Sequence, residues 1–247
     1  MAEWWKKTAD LRPTVPRSGN DFQILFSLSP NCALKPASKV MGGRTRAEFI
    51  STRQKKSARR CHLNLLPGPP KRFSTGRLVI SRGERRDAHD LYVAVRESIT
   101  QVDPYLTWCH PDYSIGESKA WLTLVTREWR ADTAYSFLIR DHHGRLIGGC
   151  GINRVGDGHV GNLGYWIRSS ETARGYATEA AIGLARYGFE ALKLGRIEIV
   201  MAVHNSSSRK VAQRCGASYE GEMRNALLLR GKYHNAYLYG LIPDDVS

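Results

Sequence analysis

Much of what would assign this chain quickly is missing from it. No apolar run approaches the ~18 residues that span a bilayer, and the N-terminus lacks a charged-then-apolar leader, so a soluble, cytoplasmic protein without membrane contact is expected. The five cysteines, Cys32, Cys61, Cys109, Cys150 and Cys215, are odd in number and include no Cys-x-x-Cys, which excludes a disulfide framework and reads as reduced thiols. Cys109-His110 and His142-His143 have no spaced partner pair, so no metal site is expected. Neither nucleotide loop occurs. Gly148-Gly-Cys-Gly151 fails the dinucleotide spacing, and no G-x-x-x-x-G-K-[ST] is present.

Acidic residues are the minority, 23 against 37 Lys and Arg, for a net charge of +14. The imbalance is local. Residues 1–72 hold 15 basic and 4 acidic side chains, whereas the remaining 175 residues carry a net +3. Seven of the ten prolines also fall before residue 73, with a basic run from Arg53 to Arg60. Such a stretch buries too little to offset its ordering entropy, so residues 1–73 are expected to be a disordered extension of a domain spanning 74–247. The extension fits a basic arm touching ribosome or nucleic acid. It fits equally a solvated tail, or a start codon read too far upstream, with translation beginning at Met41 or later.

From Arg77 onward the chain is regular. Periodicity predicts a strand at Leu78–Ser81, helices over Asp87–Ile99 and Ser114–Arg130, a hairpin of Ala134–Arg140 with Leu146–Arg154, and a strand from Val160 to Arg168. A long helix, strand, short helix and two final strands complete the order. That is an α/β domain with a mixed sheet of about seven strands and four helices.

The chemistry concentrates where the Val160–Arg168 strand ends. Gly164-Tyr-Trp-Ile-Arg168 leads through a polar loop into Arg174-Gly-Tyr-Ala-Thr178, which opens an amphipathic helix. Gly175 and Ala177 let a ligand approach the backbone. The free amides of the first helical turn attract anionic oxygens, and Arg174 adds charge. Downstream, Arg196–Asn205 reads as a strand, Ser206–Gly216 as a helix closed by glycine, then Ala217-Ser-Tyr-Glu-Gly221 and a terminal pair of strands containing Gly231-Lys-Tyr-His-Asn235.

In this order the motifs resemble the GNAT acyltransferase superfamily, and within it the ribosomal-protein N-terminal acetyltransferases, over roughly residues 75–243. Thr172-Ala-Arg-Gly-Tyr-Ala177 is similar to that family's pyrophosphate loop, with Thr172 where Arg or Gln is usual. The resemblance implies a mostly antiparallel sheet with a V-shaped splay between two central parallel strands. It implies acetyl-CoA as co-substrate, held by Ile167, Arg168, Arg174, Gly175, Tyr176, Ala177, Thr178, Asn205 and Ser208. Ser208, at the Asn-x-x-Ser position, is implied as the donor to the departing sulfur, with Asn205 beside it. Three consecutive serines could equally cap the helix.

The acceptor side is expected to use Asn162, Tyr165, Trp166, Tyr233 and His234. Tyr165 and Trp166 alternate faces, so one of them belongs to the core. Some relatives place a glutamate base where this chain has Asn162, which cannot accept a proton. His159, His204 and Glu198 are the remaining candidates. An α-amino group, with a pKa of about 7.7–8.0, is partly neutral at pH 7 without help, unlike lysine at ~10.4. The expected activity is therefore direct acetyl transfer to an α-amine, most simply a protein N-terminus, by a monomer or homodimer. Aminoglycoside or polyamine acetylation, and a non-catalytic acyl-CoA-binding module, remain as alternatives.

Overall fold

A computed structural model describes residues 68–246, so the basic extension lies almost wholly outside the described residues. Eight strands and four α-helices follow in the order β1 (Arg72–Ser74), β2 (Leu78–Ser81), α1 (Ala88–Val102), α2 (Ile115–Ala131), β3 (Ala134–Asp141), β4 (Leu146–Val155), β5 (Val160–Ile167), α3 (Tyr176–Glu190), β6 (Arg196–Ala202), α4 (Ser206–Arg214), β7 (Ser218–Leu229) and β8 (Lys232–Leu241). All strands share one sheet, ordered β1-β2-β3-β4-β5-β6-β8-β7. Every neighbouring pair is antiparallel except β5 and β6.

Helices cover both faces of the sheet, and side-chain alternation divides the core accordingly. Tyr135, Phe137 and Ile139 of β3 pack with the inner face of α3, through Ala181, Leu184 and Ala185. Leu138 turns to the other side, where Leu91, Val95, Trp121, Leu122 and Val125 of α1 and α2 meet it. The first six residues of β3 are buried, as a strand covered on both faces requires. Helix starts are chemically marked. Ser114 caps α2 in a reciprocal box with Glu117, whose Oε2 accepts from the Ser114 amide at 2.7 Å.

The eighth strand is the one that periodicity does not show. β1 has three residues, too few for a period-2 signal, and straddles the expected boundary at residue 73/74. Tertiary contacts hold it. The Phe73 ring stacks on Tyr187 of α3, centroids 5.1 Å apart, and meets Phe137 edge-on at 5.4 Å. Just before it, the Pro70 carbonyl accepts from the Tyr187 hydroxyl at 2.9 Å.

We propose that the folding unit begins between Gly68 and Pro70. A chain starting at Gly68 is expected to melt cooperatively at the temperature of the full chain. One starting at Ser74 loses the contacts of the half-buried Phe73, about 1–2 kcal/mol, and should melt roughly 2–8 °C lower. Calorimetry of the three chains decides. Insolubility of the Gly68 chain would make the extension part of the fold.

Candidate active site

β5 and β6 begin as partners and then separate. Their ladder has three rungs, Val160–Arg196, Gly161–Ile197 and Asn162–Glu198. Beyond them β5 pairs with β4 alone and β6 with β8 alone. The Arg168 amide donates to the Ile147 carbonyl of β4 at 2.7 Å. Antiparallel alternation therefore aims the amides of Tyr165 and Ile167 away from β4, into the gap. A wedge with exposed backbone donors results.

The α3 N-terminus closes one end of the wedge. Gly175, the N-cap, has φ +81°, a conformation that costs other residues about 1–2 kcal/mol. The first amides of α3 have no intrahelical acceptor. The turn is fastened from outside: Glu179 accepts from the Thr75 hydroxyl and the Arg77 amide, both at 2.6 Å, and from Arg77 Nε at 2.7 Å. Arg77 Nη1 also donates to the Arg174 carbonyl at 3.1 Å. These contacts hold Glu179's carboxyl below its usual range against the desolvation that raises it. The Thr172 hydroxyl donates to the Ser169 carbonyl at 2.9 Å, closing the short turn before the loop.

Two of the expected cationic contacts are engaged within the protein. Arg174 pairs with Glu171, 3.1 Å away and only 3% exposed, which Arg145 also binds at 2.9 Å. Arg168 turns to α1, its Nε donating to Glu97 at 2.6 Å. That bond, chiefly, holds Glu97 down to about 2. Backbone amides, more than guanidinium charge, are what this loop offers an anion. The set still fits a pyrophosphate: Gly175 has no Cβ, and one built there would meet only the flexible Arg77 Nη2, at 3.5 Å. A groove of about 820 Å³ touches Gly175 and Thr178, but it runs along the outer face of α3 past Ile182 and Arg186, away from the wedge.

Across the wedge stands α4. Asn205 is its N-cap, with Oδ1 accepting from the Ser208 amide at 3.0 Å. Capping therefore falls to Asn205, and the Ser208 hydroxyl is left for other work. It meets the Tyr165 hydroxyl at 2.9 Å, which also lies 3.3 Å from the Ser208 carbonyl. Tyr165 thus shares the α3 face with Leu163 and spans the gap from β5 to α4.

Trp166 points to the opposite face, 5% exposed, among the α1 and α2 residues. Its indole explains one glycine of β4. A Cβ on Gly149 would lie 2.7 Å from Trp166 Nε1. Trp108, in the α1–α2 loop, meets Trp166 edge-on at 5.8 Å, and its own Nε1 is buried with no hydrogen-bond partner among the described residues.

On that face the α1–α2 loop and the β7–β8 hairpin come together. His204 lies between Tyr105 at 5.5 Å and His234 at 5.3 Å, measured between ring centroids. Arg230, in the hairpin turn, donates to the carbonyls of Thr107 at 3.2 Å and Cys109 at 3.4 Å and pairs with Asp103. Tyr233 alternates outward and is 68% exposed. Asn162 sits on the last rung before the strands part, opposite Glu198, which accepts from Arg196 at 3.2 Å. His159 precedes β5, roughly 25 Å of strand away from Ile167, and pairs with Asp157.

Tyr105, Trp108 and Arg230 escape sequence reasoning because a loop between helices has no period. Two aromatics within Tyr105-Leu-Thr-Trp108 and an Arg-Gly pair between strand-like runs are the signals that mark them.

Gly175→Val is expected to raise the dissociation constant for acetyl-CoA at least tenfold, about 1.4 kcal/mol, as read by titration calorimetry. Gly175→Ala serves as the control for backbone strain alone. Wild-type affinity in a folded Gly175→Val protein would remove the ligand from this turn.

Comparison with known proteins gives the same picture. Residues 77–218 match the family model described as an acetyltransferase (GNAT) domain. YdaF of Bacillus subtilis is 39% identical over 80 residues, 32% of this chain and 44% of that protein. The chain spans about half the length of such curated relatives. The [Ribosomal protein uS5]-alanine N-acetyltransferase of Escherichia coli is 26% identical over 185 residues, 72% of this chain and 93% of that protein. The solved structure of RimL, a ribosomal L7/L12 α-N-protein acetyltransferase in complex with coenzyme A, superposes with a TM-score of 0.64 at 21% identity, covering 70% of this chain and 97% of that one, and so shares its fold. With more than half its length inside the family model, this chain belongs to the GNAT acetyltransferase family.

Proposed function

We propose that the protein transfers the acetyl group of acetyl-CoA to the N-terminal α-amino group of a protein, in the cytoplasm, by direct attack in a ternary complex. The observation that carries this reading is the Ser208 hydroxyl, relieved of capping by Asn205 and facing the gap between β5 and β6. Acetyl-CoA supplies an activated acyl carbon on a thiol leaving group. This chain's residues do the rest. Amides of the α3 turn bind the pyrophosphate, and the Tyr165 and Ile167 amides face the position of the thioester carbonyl, where charge develops. Ser208 offers a hydrogen bond to the sulfur as the C–S bond breaks.

Among the described residues the thiols support direct attack. Cys109 and Cys215 are buried and pushed up to about 12, and burial raises Cys150 as well, so none of them is a nucleophile near neutral pH. The acceptor is read from the other face. Trp108 Nε1 is a buried donor in want of an acceptor, which a peptide carbonyl supplies and a polyamine does not. Rings of Tyr105, His204, His234 and Trp166, with few carboxylates among them, suit a neutral amine better than a polycation. Relatives named for ribosomal-protein acetylation support the same substrate class. The basic extension would add weak attraction to a ribosomal surface.

With Glu198 engaged by Arg196 and Asn162 unable to take a proton, the amine must arrive neutral. The expected outcome is a kcat/KM that rises with pH along the acceptor's own pKa and shifts when an amine of different pKa is used. Release of free thiol, measured against peptides with different first residues, polyamines and aminoglycosides, tests both substrate and profile. A profile fixed across amines would instead reveal a base on the enzyme, with His204 the first to replace. Ser208→Ala should lower kcat by roughly 10- to 10⁴-fold with little change in acetyl-CoA affinity. Normal turnover in that variant would remove Ser208 from the chemistry.

A further inference from the structure

Ser208 does not act on its own. Its amide is fixed by Asn205 at 3.0 Å, and its hydroxyl lies 2.9 Å from the hydroxyl of Tyr165, which reaches across from the strand on the far side of the gap. Phenol and serine each have one hydrogen to give. At rest the serine can donate to the phenol while the phenol donates to the Ser208 carbonyl, 3.3 Å away. A rotation of two hydroxyl hydrogens reverses the order, so that the phenol donates to Oγ and the serine hydrogen is free to point into the wedge. Burial keeps the phenol protonated, because it raises the Tyr165 pKa well beyond its ordinary value.

We propose that Tyr165 is the positioning residue for the leaving-group side of the reaction, aiming the Ser208 hydroxyl at the sulfur and strengthening it as a donor through a two-membered chain, phenol to serine to sulfur. Hydrogen bonds in such a chain polarise one another, and the effect is largest where water is excluded. The N–C bond forms, the C–S bond breaks and its electron pair leaves on sulfur. Tyr165 and Ser208 both keep their protons. The amine's proton passes to solvent, and the thiolate is held by the Ser208 hydrogen bond until solvent protonates it. This inference rests on the proposed placement of the CoA sulfur beside Ser208, and it does not depend on the identity of the acceptor.

The test uses the full chain and CoA labelled with ¹³C at the carbon bonded to sulfur, whose chemical shift reports the ionisation of the bound thiol. In the wild type the chain should favour the thiolate. Tyr165→Phe, which removes one oxygen and leaves the ring, is expected to lower the acidity of the bound thiol about tenfold, one pKa unit, with CoA affinity within twofold and the melting temperature unchanged. Ser208→Ala should lower the acidity at least as much, and Tyr165→Phe/Ser208→Ala no further. With any acceptor that turns over, kcat should follow the same pattern. Equal thiol acidity in the wild type and Tyr165→Phe overturns the proposal. So does a Tyr165 effect that persists undiminished in the Ser208→Ala background. The expected titration in a protein that acetylates no amine would sink the proposed function and leave this inference standing, whereas a protein that binds no CoA sinks both.

Discussion

Everything at the site depends on where two parallel strands stop pairing. β5 and β6 share three rungs and then diverge, while each keeps a full antiparallel partner on its other side. Ladder amides left without acceptors are costly unless water or a ligand takes them. Here they are affordable because the outer ladders hold both strands in place regardless. The same parting leaves room for the Tyr165 ring to reach α4 and for an extended ligand to lie along β5 as a substitute strand. Backbone geometry, rather than a particular side chain, thus decides where the acyl group can be bound.

The charge pattern reinforces that division of labour. Arg168 and Arg174 lie beside the proposed anion turn in sequence, yet both are paired with carboxylates of this chain, Glu97 and Glu171. Those pairs fix the ends of the loop: Glu97 also accepts from the Ser170 amide at 3.0 Å, tying α1 to the segment that leads into α3. A rigid set of amides with modest net charge binds a diphosphate by direction as well as by attraction.

Sequence alone made the motifs legible and left their orientations dark. The Gly175 turn and the Asn205/Ser208 pair are local patterns, in which a few consecutive residues set a cap and a helix start, so their local geometry could be read from spacing. The four helices and seven of the eight strands follow from period. Facing could not be read so easily. Tyr165 looked like an acceptor-side residue and instead crosses to α4, because the parity of β5 is set by what Leu163 and Trp166 bury on opposite faces. Gly148-Gly-Cys-Gly151, which looks like a failed nucleotide loop, is part of strand β4, where Gly148 admits the backbone and Gly149 the indole of Trp166 on the neighbouring strand. Arg230 acts on a loop more than a hundred residues earlier in the chain, a contact that local pattern does not encode.

The two sides of the reaction are built to different standards. Around the proposed position of the sulfur the polar groups are half-buried, mutually hydrogen-bonded and fixed at both ends, by Asn205 on α4 and by the β5 backbone. On the proposed acceptor side the titratable rings, His204 and His234, lie in an open seam between a loop and a hairpin joined by one arginine. A thiolate is a poor base that needs a donor only as it leaves, so stabilising it demands orientation. An α-amine near its pKa needs only to be neutral and admitted, which an adaptable seam provides. On the proposed reading, selectivity for the acceptor would reside in the seam, where the α1–α2 loop and the β7–β8 hairpin can vary without disturbing the wedge behind them.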